Sequence, residues 1–302
     1  MDLHPGGLSD LHRHLDGSLR LETLRELAGF AGVDVPGEIA FQPGIGLAAA
    51  LERFRVTLAV LQDEAAVRRV AAEICEDAER EGVTTLEIRF APQLHRQAGI
   101  ERIVDAALDG LGGRAGLTLC TLFGEPPEVI ETLVAIAAGR PGVVGVDLAG
   151  APRPEHSWGM ADYAGGFAEA RRRGLGRTVH AGEGRPASEI HQAVTLLGAQ
   201  RIGHGTTLVE DPAALEVVVE RQVVIEACLT SNLHTGAIGA IDQHPLPGWL
   251  ESGVRVTINT DNTLLSAVDA PAEYEHARRL PGMTAEAVAA CVAIGHAAAF
   301  RR

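Results

Sequence analysis

Short runs rich in Val, Ile, Leu and Thr recur along the chain, at residues 8–16, 83–92, 116–124, 143–150, 177–183, 201–206, 223–231 and 254–261. Their length and their Gly, Asp and Pro boundaries predict eight β-strands. Segments with helical spacing lie between them. Val67, Val70, Ile74 and Ala78 fall on one helical face, with Asp63 as the cap that opens the helix and Gly82 as the residue that ends it. Glu125-Pro126-Pro127 opens a stretch carrying Val129, Leu133 and Ile136 before Gly139, and Asp211-Pro212 opens one carrying Leu215 and Val218. Proline is tolerated in the first turn of a helix, so both positions read as helix starts.

Regular alternation of strand and helix implies a parallel sheet. Eight such units in 302 residues fit a closed (β/α)8 TIM barrel of the α/β class better than an open doubly wound sheet. No linker, internal repeat or low-complexity block divides the chain, so residues 1–302 are expected to form a single barrel domain. Residues 22–62, between strands one and two, exceed what one helix needs, which predicts extra helices there. The segment Gln42-Pro43-Gly44-Ile45-Gly46 is expected to form an irregular loop over the barrel mouth.

A hydrophobic fraction of 46% against 22% charged residues is enough for a large core. The formal net charge of -14 argues against nucleic-acid and anionic-membrane partners, because phosphate surfaces would be repelled, and favours a small-molecule substrate. Cys75, Cys120, Cys228 and Cys291 are scattered without a CxxC pair; they read as core residues, Cys228 in strand seven. The first residues, MDLHPGGLSDLHRHLDGS, carry no basic segment leading into an apolar run, and no stretch is apolar enough to span a bilayer. A cytoplasmic location is the expectation. The sequence leaves the oligomeric state open.

In a barrel of this kind the active site lies at the carboxyl ends of the strands. Strand one ends LHRHLDG, and alternation along a strand turns His12 and His14 to the same side. Strand five ends VHAGE, with His180 and Glu183; strand six contains IGHGT, with His204; strand eight ends NTDN, with Asp261 and Asn262. Barrel interiors are normally filled by aliphatic residues, so several ionisable groups converging there need a metal or a substrate to compensate them. Three histidines and an aspartate suit zinc, whereas calcium and magnesium prefer more oxygen ligands. His4, His95, His156, His191, His234, His244, His276 and His296 lack such placement and are expected to be structural or solvent-facing.

These pieces taken together resemble the adenosine deaminase family of metal-dependent amidohydrolases over nearly the whole chain. The resemblance rests on HRHLDGS (12–18), EIRFAPQLH (87–95), DLAG (147–150), HAGE (180–183), GHG (203–205), TSN (230–232) and NTDN (259–262). It implies one Zn2+ per subunit held by His12, His14, His180 and Asp261, with Glu183, His204 and Asp261 catalytic. It also implies that His14 borders the substrate, that Asp16 meets the sugar hydroxyls and that the Gly150 backbone meets the purine. The implied reaction is hydrolytic removal of a purine 6-amino group. Glu183 would protonate N1, and Asp261 and His204 would orient a water whose pKa the zinc lowers. Which of the two takes the water proton is left open.

One position departs from the family pattern. The family more often has a second acidic residue after the metal-binding aspartate, where this chain has Asn262. Purine N7 only accepts hydrogen bonds; an Asn amide donates at any pH, an aspartate only when protonated, so Asn262 is expected to preserve purine contact. Adenosine or deoxyadenosine is the leading substrate. Free adenine and aminodeoxyfutalosine are the alternatives of the same chemistry, and a metal-free ligand-binding homologue is the alternative of another class.

Overall fold

The computed structural model describes residues 6–301, so His4 lies outside the described residues. β1 (Leu8–His14) is followed by three helices, α1 (Leu21–Ala31), α2 (Leu47–Val60) and α3 (Glu64–Arg80), before β2 (Val83–Phe90). Single helices then alternate with strands: α4 (Ile100–Leu111), β3 (Gly116–Leu122), α5 (Glu128–Ala138), β4 (Val143–Ala149), α6 (Ala164–Arg172), β5 (Gly176–Ala181), α7 (Ser188–Leu196), β6 (Arg201–His204), α8 (Pro212–Glu220) and β7 (Val224–Ala227). Next come α9 (Leu229–Thr235), α10 (Leu246–Glu251), β8 (Arg255–Ile258), α11 (Ala270–Arg278) and α12 (Ala285–Ala298). The strands lie in the order β1 to β8, each parallel to the next. The ring closes between β1 and the end of β8 through a parallel bridge of Arg13 with Asp261, where Asp261 N–H donates to His12 O at 2.8 Å. This is the expected (β/α)8 barrel.

The expected helix signals operate. Asp63 accepts from Ala66 N–H at 2.9 Å to open α3, and Asp211 accepts from Ala213 N–H at 2.9 Å to open α8. Val67, Val70 and Ile74 of α3 are buried, as are Ile130, Leu133 and Val134 of α5. Each such side chain removed from water contributes about 1.5–3 kcal/mol, so the layer between helices and sheet is the main source of cohesion. Among the described residues no helix is long and apolar enough to cross a membrane.

Two expectations need correction. The run at 223–231 is not one strand: β7 stops at Ala227, Cys228 caps α9, and Thr230 to Asn232 lie on that helix. A short apolar run does not distinguish strand from buried helix, and here the chain turns inward over the barrel mouth. The lumen, moreover, is not lined only by aliphatic side chains. Arg89 on β2 reaches Asp147 on β4 and Glu226 on β7, both at 2.9 Å, and Arg201 on β6 pairs with Glu226 at 2.7 Å. Strands that are not neighbours can meet this way only through the barrel interior.

The region 22–62 holds the extra helices α1 and α2, as expected. Gly44 N–H donates to Leu233 O at 3.0 Å and Gly46 N–H to His234 O at 3.3 Å, which pins this loop onto α9 at the carboxyl end of the barrel. α2 follows immediately, and its Leu51 and Phe54 line the cavities described next.

Candidate active site

His12 and His14 leave β1 on the same side because they are two residues apart, and their ring centroids are 5.3 Å apart. His180 at the end of β5 brings its Nε2 to 3.2 Å from Nε2 of His14. Asp261 follows β8 and places Oδ1 3.5 Å from His14 Nε2 and 3.7 Å from His12 Nε2. The four expected ligands therefore converge from three strands.

The second nitrogen of two of these rings is already engaged. Nδ1 of His12 lies 2.7 Å from Glu226, and Nδ1 of His180 lies 3.1 Å from Asp147. A carboxylate only accepts, so both rings carry a proton on Nδ1 and turn Nε2 toward the site. Nε2 of His12 is buried with no hydrogen-bond partner. A buried lone pair without a partner, two imidazole nitrogens at 3.2 Å and a neighbouring carboxylate make a donor set that a cation completes. Burial also holds His12 and His14 well below the usual imidazole range, in the neutral form that ligates metal.

Close approach explains a glycine in this cluster. A Cβ at Gly203 would lie 2.8 Å from Cε1 of His12, so the glycine before His204 lets the His12 ring approach β6 closely. His204 and Asp261 both have left-handed backbone, with φ of 70° and 62°. Non-glycine residues in that region cost about 1–3 kcal/mol each and persist where the surrounding structure imposes them.

His204 lies beside the ligands, its ring centroid 5.1 Å from that of His12, and its Nδ1 is 3.8 Å from Glu183. Burial pushes His204 down to about 3, whereas burial raises Glu183 and Asp261 above the ordinary carboxyl range. Glu183 is thus biased toward the acid form. Asp16, also buried, is pushed up to about 7.

The site opens into two connected spaces. An inner cavity of about 60 Å³ is bordered by His14, His180, Glu183, His204, Asp261 and Asn262. An outer cavity of about 250 Å³ shares His14, Leu51, Phe54 and Gly150 with it and adds Asp16. All the expected catalytic, metal and substrate-contacting residues therefore meet at one place. His156, set aside on sequence grounds, borders the outer cavity. A larger space of about 730 Å³ lies at the opposite end of the barrel, lined by arginines and by no histidine or carboxylate, so it offers none of this chemistry.

Several residues of the site were missed. Glu226, Arg89 and Asp147 form the network behind the ligands, and their signal was a charge within an apolar strand, as in VVIEACL. Asn232, inside the TSN piece at 230–232, and His244, both behind His204, carried no charge in an apolar strand to mark this role.

An eight-stranded parallel barrel with a histidine and aspartate cluster at its carboxyl end, a buried acid and a pocket beside it defines a hydrolase of the amidohydrolase class. A family model described as adenosine deaminase matches residues 8–301. Adenosine deaminase of Klebsiella pneumoniae is 36% identical over 303 residues, covering 93% of this chain and 90% of the relative. The chain belongs to the adenosine deaminase family and is a hydrolytic deaminase. Among solved structures, the adenine deaminase of Arthrobacter aurescens superposes with a TM-score of 0.88 at 25% identity, covering 98% of this chain and 94% of that one. An amidohydrolase from Burkholderia ambifaria with bound Zn superposes with a TM-score of 0.88 at 21% identity, over 98% of this chain and 86% of that one.

Proposed function

We propose that the protein is a zinc-dependent deaminase of 6-aminopurine nucleosides, converting adenosine or deoxyadenosine and water to the 6-oxo nucleoside and ammonia. The observation that carries this reading is the inner cavity, where Glu183, raised by burial, faces the same small space as His204, Asp261 and the histidine cluster.

His12, His14, His180 and Asp261 would hold the metal; their nitrogen and oxygen donors suit zinc, and an amidohydrolase of the same fold is described with bound Zn. Zinc bound there supplies Lewis acidity that brings the pKa of a water toward neutrality. Glu183, whose carboxyl burial raises above its ordinary range, donates its proton to purine N1, which makes C6 electrophilic. Asp261 and His204 orient the water that adds to C6 and hold its proton, which then leaves with the amino group as ammonia. Asn262, which borders the inner cavity, donates to N7. The Gly150 backbone contacts the purine edge, His14 borders the base, and Asp16 in the outer cavity meets the sugar hydroxyls.

The outer cavity, with Asp16 facing it, extends beyond what a lone base needs and favours a nucleoside. The second reading is free adenine, supported by the structural likeness to an adenine deaminase. Ammonia release from adenosine, deoxyadenosine, adenine and aminodeoxyfutalosine, measured on protein of known zinc content, separates these. Turnover of adenosine abolished by a chelator is the expected result. Turnover confined to adenine or aminodeoxyfutalosine transfers the same chemistry to that substrate, and no release from any of the four, with zinc bound, overturns the proposal.

A further inference from the structure

Behind His204 a row of buried groups runs back to a backbone amide whose hydrogen-bonding sense is fixed. Leu246 N–H lies 3.1 Å from Nδ1 of His244. An amide N–H can only donate, so that nitrogen carries the lone pair and the proton of the His244 ring is on Nε2. Nε2 of His244 lies 3.3 Å from Oδ1 of Asn232 and donates to it. An amide oxygen only accepts, so the orientation of Asn232 is set, and its Nδ2 points the other way, 3.0 Å from Nδ1 of His204. The NH2 group can only donate. Nδ1 of His204 therefore carries a lone pair, and the single proton of the neutral ring is on Nε2.

We propose that His244 and Asn232 are positioning residues that hold His204 in its Nε2–H tautomer, so that His204 offers the reacting oxygen a hydrogen-bond donor. This rests on the reading above that His204 faces the reacting oxygen; a ring that donates there is not the base, so the water proton goes to Asp261. The balance is simple. Water gives one proton to the Asp261 carboxylate as its oxygen bonds to C6 and Glu183 gives its proton to N1; the proton on Asp261 then passes to the amino group, the C6–N bond breaks to release ammonia, and the remaining hydroxyl proton returns to Glu183 as the 6-oxo group forms.

The row is built to keep its sense. Asn232 is fully buried, and His244 and His204 are nearly so, which keeps the row away from bulk solvent. Trp249 packs edge-on against His244, with ring centroids 5.2 Å apart and planes at 82°, which fixes the ring. Asn232 is anchored on α9 by its own backbone, donating to Cys228 O at 2.9 Å and accepting from Ile238 N–H at 3.2 Å. Burial pushes His244 down to about 3, so the second proton that would reverse the row is absent at neutral pH.

The test combines spectroscopy with kinetics on the zinc-loaded protein. In wild type labelled with nitrogen-15 histidine, long-range proton–nitrogen correlation is expected to report His204 protonated at Nε2 and bare at Nδ1. Asn232→Asp replaces the donor with a carboxylate that only accepts, and is expected to move the His204 proton to Nδ1. It should lower kcat by roughly 10²–10⁴-fold with KM and zinc content unchanged, the size of effect a wrong histidine tautomer produces. His244→Gln keeps a donor toward Asn232 and is expected to retain at least about a tenth of wild-type kcat. A wild-type His204 protonated at Nδ1, or an Asn232→Asp enzyme within about threefold of wild-type kcat, overturns the proposal. Should Asn232→Asp fail to fold, the wild-type spectrum decides alone. Should no purine be turned over, the same spectrum still decides the tautomer, so the two readings fail separately.

Discussion

Oε2 of Glu226 lies 2.7 Å from Nδ1 of His12, and the same carboxylate is held by Arg89 at 2.9 Å. Arg89 spans the lumen to Asp147, which in turn orients His180. Two of the candidate ligands, on β1 and β5, are thus aimed by one buried network rather than by separate partners. Removing the charge of Glu226 should loosen His12 while leaving its volume filled. Glu226→Gln is expected to weaken zinc binding by about 10–100-fold, read by competition with a chromophoric chelator. It also leaves Arg89 and Arg201 short of a buried counter-charge, so a loss of up to about 3–5 kcal/mol in urea unfolding is expected. Zinc affinity equal to wild type would show that His12 needs no such support.

Glu183 is the group whose chemistry is easiest to isolate, since it stands three residues past His180 and makes no ligand contact of its own. Glu183→Gln keeps the shape and removes the transferable proton. The expected outcome is a fall in kcat of about 10²–10⁴-fold with zinc content unaltered, measured by steady-state ammonia release and metal analysis. Retention of more than a tenth of wild-type turnover would remove Glu183 from the reaction.

Gly17 carries a constraint that its sequence neighbours hide. A Cβ added there would come within 1.8 Å of Oδ1 of Asn262, and Cβ of Asn262 itself is only 2.9 Å from that point. The whole Asn262 side chain would have to move, and Asn262 borders the inner cavity. Gly17→Ala is therefore expected to raise KM for the purine by about tenfold or more, the loss of one hydrogen bond, with zinc content retained. The comparison with Asn262→Asp is informative: that variant keeps the position and should instead make kcat/KM fall as pH rises, because only a protonated aspartate donates to N7. A Gly17→Ala enzyme with wild-type KM would place Asn262 outside substrate contact.

Much of this site was legible because barrel geometry converts strand order into position. LHRHLDG, VHAGE, IGHGT and NTDN each end or leave a strand, and closure of the ring is enough to bring them together. The supporting groups were legible only in part. Glu226 sits in an apolar strand, where an ion is costly unless paired, so it could have been flagged without its partner being known. Asn232 stood within the TSN piece, but its contact with His244 and His204 was not legible, because these residues lie on a short helix and a turn whose contact depends on how the chain after β7 folds back over the mouth. The same fold-back made residues 229–231 helical where an apolar run suggested strand.

His95, expected to be structural, is one of the residues that links the loop after β2 to the end of α2: it is buried, and its Nδ1–H donates to Leu61 O. Its Nε2 has no partner, and burial lowers its pKa from 6.5 to about 4. The native ring cannot accept a second proton until about pH 4, whereas the unfolded chain accepts one near 6.5. Between those values the unfolded state binds more protons, so the contribution is fully present above about 6.5 and lost as pH falls toward 4. The whole shift corresponds to at most about 3 kcal/mol. Urea unfolding of wild type and His95→Gln across this window should therefore differ in slope, the wild type losing up to about 1.4 kcal/mol more per pH unit as acid is added. The comparison cancels the other titrating groups, including His244 and the ligand histidines, which both proteins share. Parallel slopes would mean that His95 titrates alike in both states, and that burial at this position is relieved before the protein unfolds.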